Sequence, residues 1–160
     1  MRCLFAAKKL QSRIISAYEK RKCGATYRKE GFFMALEITE HSSLLSTAPQ
    51  ACAEDMAQVA QAGFKSVMNN RPNFEGGADQ PTAESVGAAA QAQGMVFYHL
   101  PFSGSDLSPA LALTFAKMVA DAPKPILLYC RSGARSTMVF RMALELGFLK
   151  ADDLSLIVTG

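Results

Sequence analysis

The stretch Pro125-Ile-Leu-Leu-Tyr-Cys-Arg-Ser-Gly-Ala-Arg-Ser136 decides the fold of this chain. Pro125 to Tyr129 is short and apolar, and a Pro-Lys-Pro breaker precedes it. That composition predicts a buried parallel strand. Beyond the loop, Met138, Val139, Met142, Ala143 and Leu146 recur at helical spacing. They predict a helix over Ser136–Leu146, with Gly147 as its stop. Cys130 thus falls at the carboxyl end of a strand, and its loop feeds a helix N-terminus. In open α/β sheets, ligand sites lie at the carboxyl ends of the strands.

The residue types in the loop point to chemistry. Ser132, Gly133 and Ala134 are small, so the backbone N–H groups from Arg131 to Arg135 can turn inward as an anion-binding nest. The helix dipole adds partial positive charge. Arg135 supplies a planar guanidinium suited to forked binding of an oxyanion. All three effects favour a thiolate: a free thiol titrates near ~8.5, and such surroundings lower this to roughly 3.5–7.5. Cys130 is then a nucleophile at neutral pH. The bland alternative is a buried core cysteine beside an ordinary turn, since buried cysteines are common. A strand before the loop, a helix after it and two arginines within it favour the reactive reading.

Working outward, Leu36 to Leu45 predicts a first strand or hairpin. Cys52 to Ala62 carries Met56, Val59 and Ala60 on one stripe and ends at Gly63, a helix. Phe64 to Met68 reads as a strand, and Asn69 to Pro81 as a loop rich in Asn, Pro and Gly. Thr82, with Ser85 following, caps a helix running to about Gln93. Met95 to Leu100 is a strand. Ser108 caps a helix over Pro109–Ala120 with Pro at its first position. The tail from Asp152 to Gly160 adds one strand or stays loose. Alternating strands and helices predict a layered α/β fold.

Composition sets bounds. A chain of 160 residues, 49% hydrophobic and 19% charged, fits one globular domain with a real core. The four cysteines, Cys3, Cys23, Cys52 and Cys130, contain no Cys-x-x-Cys pair. They suggest neither a disulfide framework nor a metal site. A reduced, cytoplasmic setting suits a working thiolate. No apolar stretch approaches the ~18 residues of a membrane span.

The net charge of +3 hides an asymmetry. Residues 1–34 hold nine Lys/Arg and two acids, whereas the remainder holds eight Lys/Arg and twelve acids. The basic arm reads as a targeting segment, a nucleic-acid arm or an extension from an upstream start codon. The last is favoured, because the domain pattern starts at Met34-Ala-Leu-Glu-Ile. The arm is then expected to be poorly ordered and without evolved function. The catalytic domain is expected over residues 35–160, and no nucleic-acid partner is expected.

Several stretches in order carry a family resemblance. They are Gln58-Val-Ala-Gln-Ala-Gly-Phe-Lys-Ser-Val-Met-Asn-Asn-Arg-Pro72, Asp79-Gln-Pro81, Tyr98-His-Leu-Pro101 and Cys130-Arg-Ser-Gly-Ala-Arg-Ser136. From about Leu36 to Gly147 the chain resembles the phosphatase-like domain of beta-lactamase hydrolase-like proteins. The resemblance implies a fold like the dual-specificity, cysteine-dependent phosphatases: a central, mostly parallel sheet with helices on both faces. It also implies Cys130 as nucleophile, Arg135 as oxyanion clamp, and Ser136 as a hydrogen-bond donor to the thiolate. Asp106, in Phe102-Ser-Gly-Ser-Asp-Leu-Ser108, falls where such phosphatases keep a general acid. It also reads as a turn or capping residue.

The pattern departs from that family in two places. Phosphatases of this mechanism place five residues between Cys and Arg. Here there are four, Arg131, Ser132, Gly133 and Ala134. Four is the rhodanese spacing, and the loop is also similar to that of single-domain rhodaneses. The second departure is Tyr129, where many phosphatases have His.

Three functions follow. A phosphatase-like hydrolase would act on a phosphate ester through a phosphocysteine. A rhodanese-like sulfurtransferase would move sulfane sulfur through a Cys130 persulfide to a thiol acceptor. An inactive anion-binding module is the third, and the intact Cys and Arg argue against it. In any of them Arg131, Ser132, Gly133, Ala134 and Ser136 are expected to bind a small anionic substrate, with no cofactor. Arg71 ends a strand and either joins them or pairs with Glu75 or Asp79. Asn69 and Asn70 are expected to tie that loop through side-chain to backbone hydrogen bonds. His99 reads as structural.

Overall fold

The computed structural model describes residues 36–155. The basic extension, and the tail beyond Ser155, lie outside the described residues. A five-stranded sheet forms the centre, in the order β1-β2-β5-β3-β4. Its strands are β1 (Thr39–Ser42), β2 (Leu45–Ala48), β3 (Ser66–Asn69), β4 (Val96–His99) and β5 (Ile126–Tyr129). The expected first hairpin is β1 and β2, which pair antiparallel. Ser42 shapes its turn, because its Oγ accepts the N–H groups of Leu44 and Leu45, each at 3.1 Å. The other neighbouring strands pair parallel, so the carboxyl ends of β2, β5, β3 and β4 share one edge.

β5 is central, and every residue in it is buried. Alternation sends its side chains to both faces of the sheet. Ile126 and Leu128 join one core with Phe115, Val119, Val139 and Phe140. Those partners come from α3 (Pro109–Asp121) and α4 (Ala134–Glu145). Leu127 and Tyr129 join the opposite core with Val59, Val67, Val86 and Ala90. There the covering helices are α1 (Met56–Gln61) and α2 (Ala83–Ala92). The continuous apolar run at 126–129 is thus a strand with a helical layer on each side, as expected.

The caps largely match the sequence. Thr82 Oγ1 accepts the Ser85 N–H at 3.2 Å, and Ser108 Oγ accepts the Leu111 N–H at 3.3 Å. Three readings need correction. The expected helix at Cys52–Ala62 opens as a 3-10 turn over Ala53–Asp55 before α1 begins. Asp55 causes this: its carboxylate turns back to accept the Cys52 N–H at 2.8 Å. Helix α4 starts at Ala134, two residues earlier than Ser136. Gly133 takes the left-handed N-cap position there, so the chain winds into helix at once. Cys52 is disulfide-bonded, whereas Cys130 is free. The described part of the tail is a 3-10 turn at Asp152–Leu154.

Two leucines test the account of the core. Leu128 is fully buried and Leu113 is 39% exposed. Leu128→Ala should cost about 2–5 kcal/mol, and Leu113→Ala within about 0.5 kcal/mol of nothing, by urea unfolding. Equal losses would contradict the placement of β5.

Candidate active site

The carboxyl edge of the sheet gathers the site. Tyr129 of β5 is level with Ala48 of β2 and Asn69 of β3, and Asn69 is level with His99 of β4. The residues just past these ends, Gln50, Arg71, Phe102 and Cys130, therefore meet. Backbone hydrogen bonds tie the loops: Gln50 N–H to Arg131 C=O at 3.2 Å, and Asn70 N–H to Tyr129 C=O at 2.8 Å.

The Cys130 loop closes on itself. Gly133 donates its N–H to Cys130 Sγ at 3.2 Å, which places a positive dipole against the sulfur. Gly133 has φ of 89°, a conformation that L side chains resist. A Cβ there would also lie 3.3 Å from the Ala48 carbonyl oxygen. Glycine meets both demands without strain. Cys130 is buried, whereas Arg131, Ser132 and Ala134 face outward on the loop. The first-turn amides of α4 have no intrahelical acceptors, so they are donors for an anion.

Arg135 lies in the first turn of α4. Its guanidinium donates to the Phe102 carbonyl at 2.9 Å and to Glu75 Oε1 at 2.6 Å. The other carboxylate oxygen of Glu75 accepts Arg71 Nε at 2.8 Å. Arg71 also donates to Gln50 Oε1 at 3.0 Å. One carboxylate therefore joins the two arginines expected to meet a substrate. Arg71 pairs with Glu75, as one of its two readings expected, and it leaves the sheet at the same edge as the Cys130 loop. Burial by itself pushes the Glu75 carboxyl up, but hydrogen bonds from Arg71 and Arg135 outweigh it and hold the group below the usual carboxylate range.

Asn69 and Asn70 tie the strand end as expected. Asn69 Oδ1 accepts the Arg71 N–H at 2.7 Å, and Asn70 Nδ2 donates to the Leu100 carbonyl at 3.2 Å. His99 is a tether too, with Nε2 3.2 Å from the Arg71 carbonyl oxygen. Ser136 differs from the expectation. It is fully buried, and its hydroxyl proton goes to Asn70 Oδ1 at 2.8 Å rather than to the sulfur. A hydroxyl carries one proton, so in this arrangement Ser136 anchors α4 to the β3 loop. Tyr129 sits on the opposite face of the sheet, where burial pushes its hydroxyl well above the usual phenol range.

Asp106 ends a 3-10 turn over Gly104–Asp106. Its Oδ2 accepts the hydroxyl and the N–H of Ser103, both at 2.7 Å. These bonds, side chain first and backbone second, hold its carboxyl below the usual range, with a smaller pull from Arg135. The capping reading of Asp106 therefore describes this conformation.

Sequence reasoning missed two residues as members of the site. Glu75 appears there only as a pairing partner, and its bridge to Arg135 depends on the fold. Thr137 Oγ1 donates to the Gly133 carbonyl at 3.0 Å and supports the loop from below. Its spacing of four from Gly133 is the signal that was available. Among the described residues no group of three or more His, Cys, Asp or Glu could hold a metal ion. No helix there is long and apolar enough to cross a membrane.

This loop and fold match known proteins. The family model for the beta-lactamase hydrolase-like protein, phosphatase-like domain, matches residues 37–146. The chain belongs to that family. A beta-lactamase hydrolase-like protein from Agrobacterium fabrum is 31% identical over 106 residues, covering 66% of this chain and 24% of that protein. One from Xylella fastidiosa is 25% identical over 119 residues, covering 74% of this chain and 27% of that protein. The chain thus spans about a quarter of the length of these relatives. A crystal structure of a candidate phosphatase from Neisseria meningitidis is 27% identical, with a TM-score of 0.62, covering 77% of this chain and 84% of that one. A kinase-associated phosphatase, at 14% identity and a TM-score of 0.59, shares the fold, covering 75% of this chain and 80% of that one. The expected α/β architecture of a phosphatase-like domain is therefore found.

Gly133→Ala tests the loop. Forcing a side chain into the left-handed region costs of order 1–3 kcal/mol. The variant should lose that much stability by urea unfolding and lose most Cys130-dependent turnover. Unchanged activity would show that the Gly133 amide need not face the sulfur.

Proposed function

We propose that the domain is a cysteine-dependent hydrolase of phosphate esters. The observation that carries this is the closed loop: Gly133 N–H on Cys130 Sγ at 3.2 Å, with Arg135 held over the same loop by the Phe102 carbonyl. Cys130 Sγ attacks phosphorus and an S–P bond forms. The P–O ester bond breaks, and Asp106, turned from Ser103, gives its proton to the leaving oxygen. Loop amides from Arg131 to Ser136 and the Arg135 guanidinium hold the remaining phosphoryl oxygens. Water then attacks phosphorus and gives a proton to the Asp106 carboxylate; the S–P bond breaks, inorganic phosphate leaves and Cys130 returns as thiolate. Arg71 lies on the same edge and binds anionic substrate.

Sulfur transfer is the second reading, and the four-residue loop favours it. A short ring of amides cradles the terminal sulfur of a persulfide more closely than a tetrahedral phosphoryl group. The Cys130 thiolate would attack the outer sulfur of a donor such as thiosulfate, whose S–S bond breaks to release sulfite, and the resulting persulfide would pass that sulfur to a thiol acceptor, restoring the Cys130 thiolate. That cycle needs no general acid, in keeping with the Asp106 carboxylate on Ser103.

Two assays on purified protein separate the readings. Hydrolysis should release phosphate from an aryl phosphate, with inhibition by vanadate. Sulfur transfer should yield thiocyanate from thiosulfate and cyanide. Cys130→Ser should lower the true activity at least about a thousandfold. No Cys130-dependent turnover in either assay would sink both readings.

Asp106 has its own test. An acid works while protonated, so its contribution falls as pH rises through its pKa, which Ser103 sets low. Asp106→Asn should lower hydrolysis of an alkyl phosphate about a hundredfold and abolish that acidic limb of the rate profile. An unchanged rate across pH would remove Asp106 from the mechanism.

A further inference from the structure

We propose that Glu75 is an internal competitor for the oxyanion site, which sets how strongly an anion must bind to be accepted. This rests on the reading of the Cys130–Arg135 loop as an oxyanion cradle. The geometry is that of a bound ligand: a carboxylate with one oxygen 2.6 Å from Arg135 and the other 2.8 Å from Arg71. Arg71 is only 8% exposed and cannot shed its charge, so it needs a counterion in the ligand-free protein. Glu75 is that counterion. Its side chain remains 26% exposed, on a loop it can leave without unpacking the core.

Charge counting supports displacement. Arg71, Arg131 and Arg135 bring three positive charges to this edge. A phosphoryl dianion and a Cys130 thiolate bring three negative ones. Retaining Glu75 would add a fourth beside the incoming phosphoryl group, where like charges repel. Withdrawing it frees a donor on Arg135 and Arg71 Nε for the substrate. The loop has separate anchors that survive this movement. Gly76 N–H donates to Gln80 Oε1 at 2.7 Å, and Gln80 Nε2 donates to the Pro72 carbonyl at 2.7 Å. Asn73 Oδ1 accepts the Ala83 N–H at 2.8 Å. Only the side chain of Glu75 has to swing.

Glu75→Gln keeps the shape and removes the charge. Orthovanadate binding by calorimetry should tighten about fivefold, the modest scale of partly exposed ion pairs. KM for an aryl phosphate should fall by a similar factor, with kcat within about twofold. Unfolding curves confirm that the variant is folded, and Glu75→Asp repeats the test with the charge kept. Weaker vanadate binding, or a kcat loss restored by Glu75→Asp, would overturn the proposal and make Glu75 a positioning residue for Arg135. Binding that Arg135→Lys weakens but Glu75→Gln leaves unchanged would overturn it while sparing the oxyanion reading. No vanadate binding to wild type or to Glu75→Gln would overturn both.

Discussion

The site depends on one in-register alignment. β5 lies between β2 and β3, and Tyr129 is level with both Ala48 and Asn69. Each strand is therefore exhausted at the same height, and the chain must leave the sheet there in every case. The residues that follow have no ladder partners and turn toward one another. Gln50, Arg71 and Cys130 belong to three segments far apart in the chain, and only the parallel register brings them to one edge. The burial of Ile126 to Tyr129 on both faces holds that register, because a slip of one residue would exchange the two cores.

A second constraint turns this edge into a site. The chain must pass from β5 to α4 in very few residues, beside the Ala48 carbonyl. Gly133 solves the passage with a left-handed conformation, and the same conformation aims its N–H at Cys130. Sulfur position, amide direction and helix start are thus one backbone event. The early start of α4 follows from it and puts Arg135 inside the first turn. Its guanidinium then reaches the Phe102 carbonyl past the end of β4.

Most of the architecture was legible because its signals are local. Apolar runs, the Thr82 and Ser108 caps, and the Cys130-to-Ser136 pattern each lie within a dozen residues. What escaped was long-range. The Ser136 hydroxyl looks free for the sulfur until β3 brings Asn70 to it, 66 positions away in sequence. Glu75 and Arg135 are 60 apart, and no periodicity links them. Arg71 was readable in part: its i, i+4 relation to Glu75 is local, and its convergence on Arg135 is tertiary.

The two acids near the clamp arginine illustrate how similar charges take different parts. Both carboxyls sit below their ordinary range, for different reasons. Asp106 is lowered chiefly by neutral donors on Ser103, a partner that travels with its own exposed turn. Glu75 is lowered by two cations fixed to the sheet edge. Turning Asp106 away from Ser103 costs two hydrogen bonds and leaves the arginines untouched. Withdrawing Glu75 strips a counterion from both arginines at once, so it becomes favourable only when another anion arrives. Under the proposed mechanism Asp106 can therefore move at the cost of its Ser103 bonds alone, whereas Glu75 moves only in exchange for a ligand. The chemistry of the edge is decided less by which acids are present than by what each must release in order to move.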